Sequence, residues 1–166
     1  MSTVRRLNHA VLYVRDPVTS ASFYGEALGL REVHNLGPGT AIFLRAADSP
    51  NDHDLGLFTA NPQAAPGSPH QIGLYHLAWE VETLDDLVEL RDRLVAMGAL
   101  VGASDHGATK SLYAHDPDGI EFEIMWQVPL DHWDPEVDGL RTEPLNLDLE
   151  LDRFGGSTRS RTAMGI

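Results

Sequence analysis

The alternation of apolar and polar residues near the start of the chain predicts a β-strand over residues 7–14, LNHAVLYV. Successive side chains of a strand point to opposite faces, so every second residue shares a face. One face of this strand would carry Leu7, His9, Val11 and Tyr13.

A helix is predicted directly after this strand. Asp16 is a suitable N-cap, and Pro17 fits the first helical position. Gly29 can adopt the left-handed conformation that commonly ends a helix. The apolar residues at helical spacing between these ends are Ala21, Tyr24 and Leu28. Three strand-like runs then follow, REVHNL, TAIFLRAA and DLGLFTA, and turn-forming residues separate them.

The same order of elements repeats in the second half of the chain. YHLAWEV at residues 75–81 has the pattern of a strand, and Thr83 with Asp86 forms a capping box before a helix that Gly98 closes. The apolar stripe of that helix would consist of Leu84, Leu87, Val88, Leu94 and Val95. Three more strand-like runs follow, ALVGAS, KSLYAH and IEFEIMW. The repeat therefore predicts an α+β fold of paired βαβββ modules.

We expect the two modules to form one domain over residues 1–127, shaped as an open eight-stranded cup. The modules span residues 5–60 and 71–127, and the linker NPQAAPGSPH occupies residues 61–70. The repeated pattern stops at the end of the second module. Residues 128–166 are rich in acids and include three prolines, so we expect an extension that lies over the domain or a partner subunit and frays at its end.

The composition excludes several classes of function. The chain has 25 acidic and 12 basic residues and a net charge of -13, which argues against nucleic acid or an anionic membrane as a partner. Cysteine is absent, so disulfides, thiolate metal sites and cysteine nucleophiles are excluded. The sequence has neither a signal-peptide pattern nor a membrane-length apolar run, which makes a soluble cytoplasmic protein the expectation.

Two histidines occupy matching places in the repeat, because His9 and His76 each lie near the start of the first strand of a module. If the modules pack as pseudo-twofold partners, both imidazoles face the inside of the cup and approach each other. On the last strand, Glu121 and Glu123 share a face, and buried carboxylates need a positive charge nearby. The alternative for each histidine alone is an ordinary hydrogen-bonded core residue.

Two imidazoles and one carboxylate would leave a divalent cation with open coordination positions. This is the facial triad associated with non-heme Fe(II) oxygenases. The repeat thus predicts that the cup surrounds a metal site, with either glutamate as the acidic ligand.

These stretches resemble the vicinal oxygen chelate superfamily, which includes glyoxalase I, fosfomycin- and bleomycin-resistance proteins and the extradiol ring-cleaving dioxygenases. The resemblance covers residues 5–127, and its most specific stretch is HDPDGIEFE at residues 115–123. NHAVLYVRD and YHLAWEV resemble the two histidine-bearing strands of the family. Counted from Gly119, the resemblance implies that Glu123 binds the metal together with His9 and His76, and that Glu121 lies at the rim.

Within that superfamily, the sequence most resembles the shorter single-domain extradiol dioxygenases of the catechol 2,3-type. A glyoxalase-like site takes a metal carboxylate from each module, whereas the first module here has Gly56, Leu57 and Phe58 where a glutamate would be expected. The metal would therefore keep three protein ligands and room for a bidentate substrate and O2.

The resemblance also implies residues for catalysis. HDLGLF resembles the segment that carries the acid–base histidine, which would be His53. Tyr113 lies where those enzymes place a tyrosine that hydrogen-bonds the substrate oxygen, and His106 resembles a second pocket histidine. His70 in the linker is a rival for the acid–base role, with surface exposure as its alternative. For His53 the alternative is a solvated loop residue, and for Tyr113 a half-buried strand aromatic.

The function implied is a metal-dependent extradiol dioxygenase that cleaves a catechol-type aromatic diol with O2, as a homodimer. Fe(II) is the expected cofactor and Mn(II) an alternative. Two other functions stay open. One is an isomerase or lyase of the same superfamily that uses Zn, Ni or Co as a Lewis acid. The other is a drug-sequestering binding protein, which the three intact ligands argue against.

Overall fold

The computed structural model describes residues 2–65, 67 and 72–161, and the chain divides into two compact units. Unit 1 comprises residues 1–68 and 116–119, and unit 2 comprises residues 69–115 and 120–166. Among the described residues, no helix combines the length and the apolar character that a membrane crossing requires. The mixed α+β class and the repeated order of elements are confirmed.

Unit 1 contains the elements of the first module. They are β1 (Ala10–Val14), α1 (Pro17–Leu28), β2 (Arg31–Asn35), β3 (Ala41–Arg45) and β4 (Leu55–Thr59). The four strands form one open sheet in the order β1-β4-β3-β2, in which β1 runs parallel to β4 and the other neighbours are antiparallel. The module is therefore a split βαβ unit with a returning strand.

The ends of α1 follow the predicted chemistry, and one of its three apolar residues at helical spacing, Tyr24, is buried. The Asp16 carboxylate accepts hydrogen bonds from the backbone N–H groups of Val18 and Thr19, and Gly29 ends the helix at φ 70°. The buried helix residues are Pro17, Ser20, Tyr24 and Ala27, whereas Ala21 and Leu28 are only half-buried. The buried Tyr24 hydroxyl donates to Asp116 at 3.1 Å, so a polar contact with the DPDG turn fixes this face.

Unit 2 contains the second module and the extension. Its elements are β5 (Leu77–Glu80), α2 (Leu84–Ala96), β6 (Leu100–Asp105), β7 (Thr109–His115), β8 (Glu121–Gln127), β9 (Glu143–Pro144) and α3 (Leu147–Phe154). The five strands form an open sheet in the order β5-β8-β7-β6-β9. The predicted capping box of Thr83 and Asp86 is present, but Val95 is 58% exposed, so the predicted stripe of α2 is too wide.

The described part of the C-terminal extension belongs to unit 2. Its strand β9 pairs with β6, and Phe154 of α3 packs on the Trp126 ring of β8 at a centroid distance of 5.2 Å. The Arg161 backbone N–H donates to the Gln127 carbonyl at 3.1 Å, which returns the chain to the end of β8. The eight module strands form as predicted, and β9 and α3 are additions that the repeat did not predict.

Candidate functional site

His76 and Glu123 form a close pair in unit 2. Strand β8 runs parallel to β5 with Glu123 level with Ala78, so that His76, one residue before β5, lies beside the glutamate. The His76 Nε2 is 3.0 Å from the Glu123 Oε2, and Glu123 is 8% exposed. A nearly buried carboxylate and an imidazole nitrogen thus converge, as two of the three predicted metal ligands require.

Glu121 lies on the other side of the same imidazole. The His76 Nδ1 is 3.6 Å from the Glu121 Oε1, which is beyond hydrogen-bond distance, and both atoms are buried without a hydrogen-bond partner. Buried polar atoms without partners are costly, so the pair fits a site that acquires another group when it is occupied. Nitrogen and carboxylate oxygen donors are the set that divalent transition metals accept.

Tyr113 extends this cluster along the sheet. It lies on β7 directly opposite Glu123 on β8, and its hydroxyl is 3.4 Å from the Glu123 Oε1. Burial first, and then the negative charge of Glu123, raise the pKa of Tyr113 to about 12. The phenol therefore stays protonated at neutral pH and is a hydrogen-bond donor.

His106 completes the cluster from the loop after β6. Its Nε2 is 2.8 Å from the Tyr113 hydroxyl, and its Nδ1 is 3.2 Å from the carbonyl oxygen of Arg141. A carbonyl only accepts, so the Nδ1 must carry a proton and the Nε2 of the neutral ring accepts from the phenol. The Thr142 hydroxyl is 3.3 Å from the same Nδ1. The extension thereby determines how His106 is oriented.

In unit 1, His9 and His53 are adjacent. His9 lies one residue before β1, and its ring centroid is 4.5 Å from that of His53. The Phe43 ring packs on His53 edge to face at 4.9 Å. The His53 side chain is only 18% exposed and its Nδ1 is 3.0 Å from the Asp52 Oδ2. The His53 side chain is thus largely buried, whereas the alternative interpretation expected a freely solvated loop residue.

The register of the two sheets identifies the residue of unit 1 that corresponds to Glu123. Val11 lies two residues after His9 and pairs with Gly56, as Ala78 lies two residues after His76 and pairs with Glu123. A Cβ at Gly56 would lie 3.4 Å from the Phe43 ring. Phe43 thus occupies the space above this position, and unit 1 supplies no carboxylate there.

The structure brings together His76, Glu123, Tyr113 and His106 in unit 2, and His9 and His53 in unit 1. Within the part of the chain that the structure describes, no group of three or more His, Asp or Glu side chains is arranged to hold a metal ion. The full ligand set of His9, His76 and Glu123 therefore stays a prediction. His70 lies outside the described residues.

Several neighbours of these residues escaped sequence reasoning. Phe43 and Asp52 contact His53, and Arg141 contacts His106 through a backbone carbonyl. Asp52 lies next to His53 in the sequence, which was the available signal. The contact between His106 and the Arg141 carbonyl joins residues 35 positions apart and uses a backbone atom, so no residue type in the sequence indicates it.

Comparison with known proteins places the chain in a family. Residues 6–124 match the model of the Glyoxalase/Bleomycin resistance protein/Dioxygenase superfamily. The chain is 31% identical over 130 residues to biphenyl-2,3-diol 1,2-dioxygenase 3 of Rhodococcus globerulus. The aligned region covers 75% of this chain and 65% of the relative. It is 26% identical over 158 residues to catechol-2,3-dioxygenase of Bacillus subtilis. That aligned region covers 93% of this chain and 54% of the relative.

A solved structure shows the same architecture. The glyoxylase/bleomycin resistance protein/dioxygenase domain from Frankia sp. EAN1pec aligns with a TM-score of 0.62 and 25% identity, over 76% of this chain and 100% of that one. The chain spans less than two thirds of the length of both curated dioxygenases. On the match to the family model, the chain belongs to the glyoxalase/bleomycin resistance protein/dioxygenase superfamily.

Proposed function

We propose that this protein is a metal-dependent extradiol dioxygenase that cleaves a catechol-type aromatic diol with O2. The observation that carries the proposal is the chain of contacts in unit 2 from His76 through Glu123 and Tyr113 to His106. It joins two metal-ligand types to a neutral phenol donor and a second histidine. The two relatives named as diol dioxygenases support the same reaction class.

The proposed metal ligands are His76, Glu123 and, from unit 1, His9. Fe(II) is the proposed ion, because cleavage of a diol by O2 requires a redox-active metal. When bound, Fe(II) would hold both diol oxygens, lower their pKa and relay electrons between the diol and O2.

The first module supports a three-ligand site rather than a four-ligand one. Gly56 stands at the position that corresponds to Glu123, and the Phe43 ring fills the space above it. A glutamate at this position would have to displace Phe43, which packs on His53. Two or more coordination positions would therefore stay open for a bidentate diol and O2.

The side chains near these ligands have separate proposed roles. Tyr113, with its pKa raised to about 12, donates a hydrogen bond to the developing negative oxygen of the substrate. His53 accepts the proton of the diol and returns it as the ring opens. His106 holds the phenol oxygen of Tyr113 in place through its Nε2.

The test is anaerobic reconstitution with Fe(II), followed by air and a panel of catechols, with O2 uptake and the yellow ring-cleavage product as readouts. We expect uptake and colour that depend on both the metal and a catechol. Glu123→Ala should abolish both signals, whereas Glu136→Ala, which removes an exposed carboxylate, should leave them unchanged. Activity that survives Glu123→Ala would contradict the metal-ligand role of Glu123. The absence of O2 uptake with every catechol would contradict the proposed reaction and favour the isomerase or binding function.

A further inference from the structure

We propose that Asp52 is a positioning residue that fixes the orientation and the tautomer of His53, with His34 as the clamp on its second oxygen. The inference rests on the acid–base role proposed for His53. It concerns three side chains of unit 1 that form a continuous chain of contacts, His34, Asp52 and His53.

Each oxygen of the Asp52 carboxylate makes one of these contacts. The Asp52 Oδ2 is 3.0 Å from the His53 Nδ1, and the Asp52 Oδ1 is 3.2 Å from the His34 Nε2. Each oxygen of one carboxylate thus faces one imidazole nitrogen. Because both contacts engage the same carboxyl group, the rotation of the Asp52 side chain is restricted from both ends.

The aromatic neighbours of His53 cannot perform this function. His9 and Phe43 lie at centroid distances of 4.5 and 4.9 Å and hold the plane of the His53 ring. Ring packing distinguishes weakly between the two nitrogens, because a flip of the ring preserves nearly the same apolar contacts. A polar partner is therefore needed to decide which nitrogen faces the loop.

Asp52 supplies that decision because an ionised carboxylate accepts hydrogen bonds and cannot donate them. The hydrogen bonds from His53 and His34 lower the pKa of Asp52, so it is ionised at neutral pH. The His53 Nδ1 must then carry the proton, which leaves the Nε2 as the unprotonated, basic nitrogen. A general base needs a free lone pair at a defined atom.

The three contacting side chains lie at a cavity, as expected for residues that act on a substrate. A cavity of about 350 Å³ is lined by His34, Asn35, Leu36, Phe43, Asp52 and His53. His53 lies in its wall with 18% of its side chain exposed, while Asp52 is 73% exposed. The exposed carboxylate is strongly screened, so its contribution is directional and the expected kinetic effect is moderate.

The experiment that tests the inference reads the tautomer directly. Ring ¹⁵N spectra are recorded for the full chain without added metal at about pH 8.5. This pH lies well above the ordinary imidazole pKa of about 6.5. The His53 signals are assigned from their absence in His53→Gln. We expect the protonated nitrogen of His53 to be the Nδ1 in the wild type. In Asp52→Ala the signal should shift toward the Nε2–H form that a free imidazole side chain prefers.

Two further variants sharpen the result. Asp52→Asn keeps the shape but offers both an acceptor and a donor, so we expect a mixture of tautomers. Asp48→Asn removes the same charge from an exposed position in the same loop, and it should leave the wild-type spectrum unchanged. A smaller shift toward the Nε2–H form is expected in His34→Gln, because Asp52 then loses its clamp.

Turnover gives the second readout. Asp52→Ala should lower kcat about tenfold with the Fe(II)-loaded protein, with KM nearly unchanged. This is the lower end of the loss that follows removal of a hydrogen-bonding partner from a metal-bound histidine. An Nδ1–H tautomer that persists in Asp52→Ala, or an Nε2–H tautomer in the wild type, would overturn the inference. If the wild type cleaves no catechol, the proposed function fails, and the ring spectra still decide the role of Asp52.

Discussion

The single proton of Tyr113 has two acceptors within reach in unit 2. The His106 Nε2 lies at 2.8 Å and the Glu123 Oε1 at 3.4 Å, so the shorter contact holds the proton while His106 is neutral. The carbonyl of Arg141 sustains this arrangement because it requires a proton on the His106 Nδ1. The phenol is therefore held by His106 beside the carboxylate, which agrees with its proposed role as a donor to the substrate.

Replacing Tyr113 by phenylalanine should impair turnover without loss of metal. The variant lacks only the hydroxyl that we propose as donor to the developing negative oxygen, and removal of one such donor lowers kcat by about 10² to 10³. Steady-state kinetics with a catechol and metal analysis of the same sample check this. Tyr13→Phe, at a tyrosine that is 74% exposed, is the matched control and should keep wild-type kcat. Equal kcat in both variants would exclude Tyr113 as a donor.

His76 should be essential for metal binding. Its Nε2 faces Glu123 at 3.0 Å and its Nδ1 has no hydrogen-bond partner, which agrees with its proposed role as a metal ligand. His76→Ala should lose Fe(II) on desalting, as measured by the metal content per chain. His132→Ala, at a side chain that is 48% exposed, should retain it. Full metal content in His76→Ala would remove this residue from the ligand set.

At the scale of elements, periodicity and caps were sufficient to predict the module strands and both of their helices. Asp16, Gly29 and the Thr83–Asp86 box act locally, so the sequence shows them directly. Helical spacing singled out Ala21, Tyr24 and Leu28 in α1, but of these three only Tyr24 is buried, and the polar Ser20, which the spacing did not select, is buried as well. The pairing of β9 with β6 also escaped prediction, since a strand of two residues has no measurable alternation.

The residues of the candidate site also fall into those that the sequence predicted and those that it could not predict. The repeat itself identifies His9 and His76, and the family resemblance points to His53 and Tyr113. The neighbours that orient these residues depend on register. For example, the sequence left Gly56, Leu57 and Phe58 as counterparts of Glu123, and the register selects Gly56, because it pairs with Val11 as Glu123 pairs with Ala78. Such positional correspondence requires the sheets and is not visible in composition.

Gly56→Ala should destabilise the sheet of unit 1. The added Cβ would lie 3.3 Å from the Val11 Cγ2 and 3.4 Å from the Phe43 ring, so these neighbours must shift. Overpacking of this kind costs roughly 1 to 3 kcal/mol of unfolding free energy. Urea unfolding measures the change, with Gly73→Ala as the control because nothing lies within 4 Å of a Cβ there. Equal stability of the two variants would show that Phe43 moves freely.

At the scale of the whole chain, the net charge of -13 gives weight to the cation that lies buried among the described residues, Lys110. Lys110 is fully buried and pairs with Asp105 at 2.6 Å and with Glu150 of α3 at 3.3 Å. Asp105 also accepts from the guanidinium of Arg141, whose carbonyl holds His106. Ion pairs between β7, β6 and the extension therefore connect the stability of unit 2 to the geometry of its candidate site.

Asp138 in the extension should make stability depend on acidic pH. Its side chain is fully buried and accepts two hydrogen bonds from Arg153, at 2.7 and 2.9 Å. Burial opposes ionisation, but the hydrogen bonds of Arg153 and of the Asp134 backbone outweigh it and lower the pKa of Asp138 below its ordinary value of 3.8. Because the folded-state pKa is depressed, the stabilisation is present above the ordinary value and is lost as pH falls through the lower one.

Asp138→Asn removes this ionisation while it keeps the shape of the side chain. At neutral pH we expect the variant to unfold with roughly 1 to 3 kcal/mol less free energy, because the Arg153 pair loses its charge. As pH falls below the ordinary value of 3.8, the wild type progressively loses its advantage, and the gap between the two stabilities should narrow. Urea unfolding between neutral pH and about pH 3 measures this, with Asp131→Asn at an 81% exposed carboxylate as the control. A gap that stays constant down to the lowest pH would show that Asp138 acts by shape alone, since Asp138 is the one titrating group that differs between the two proteins.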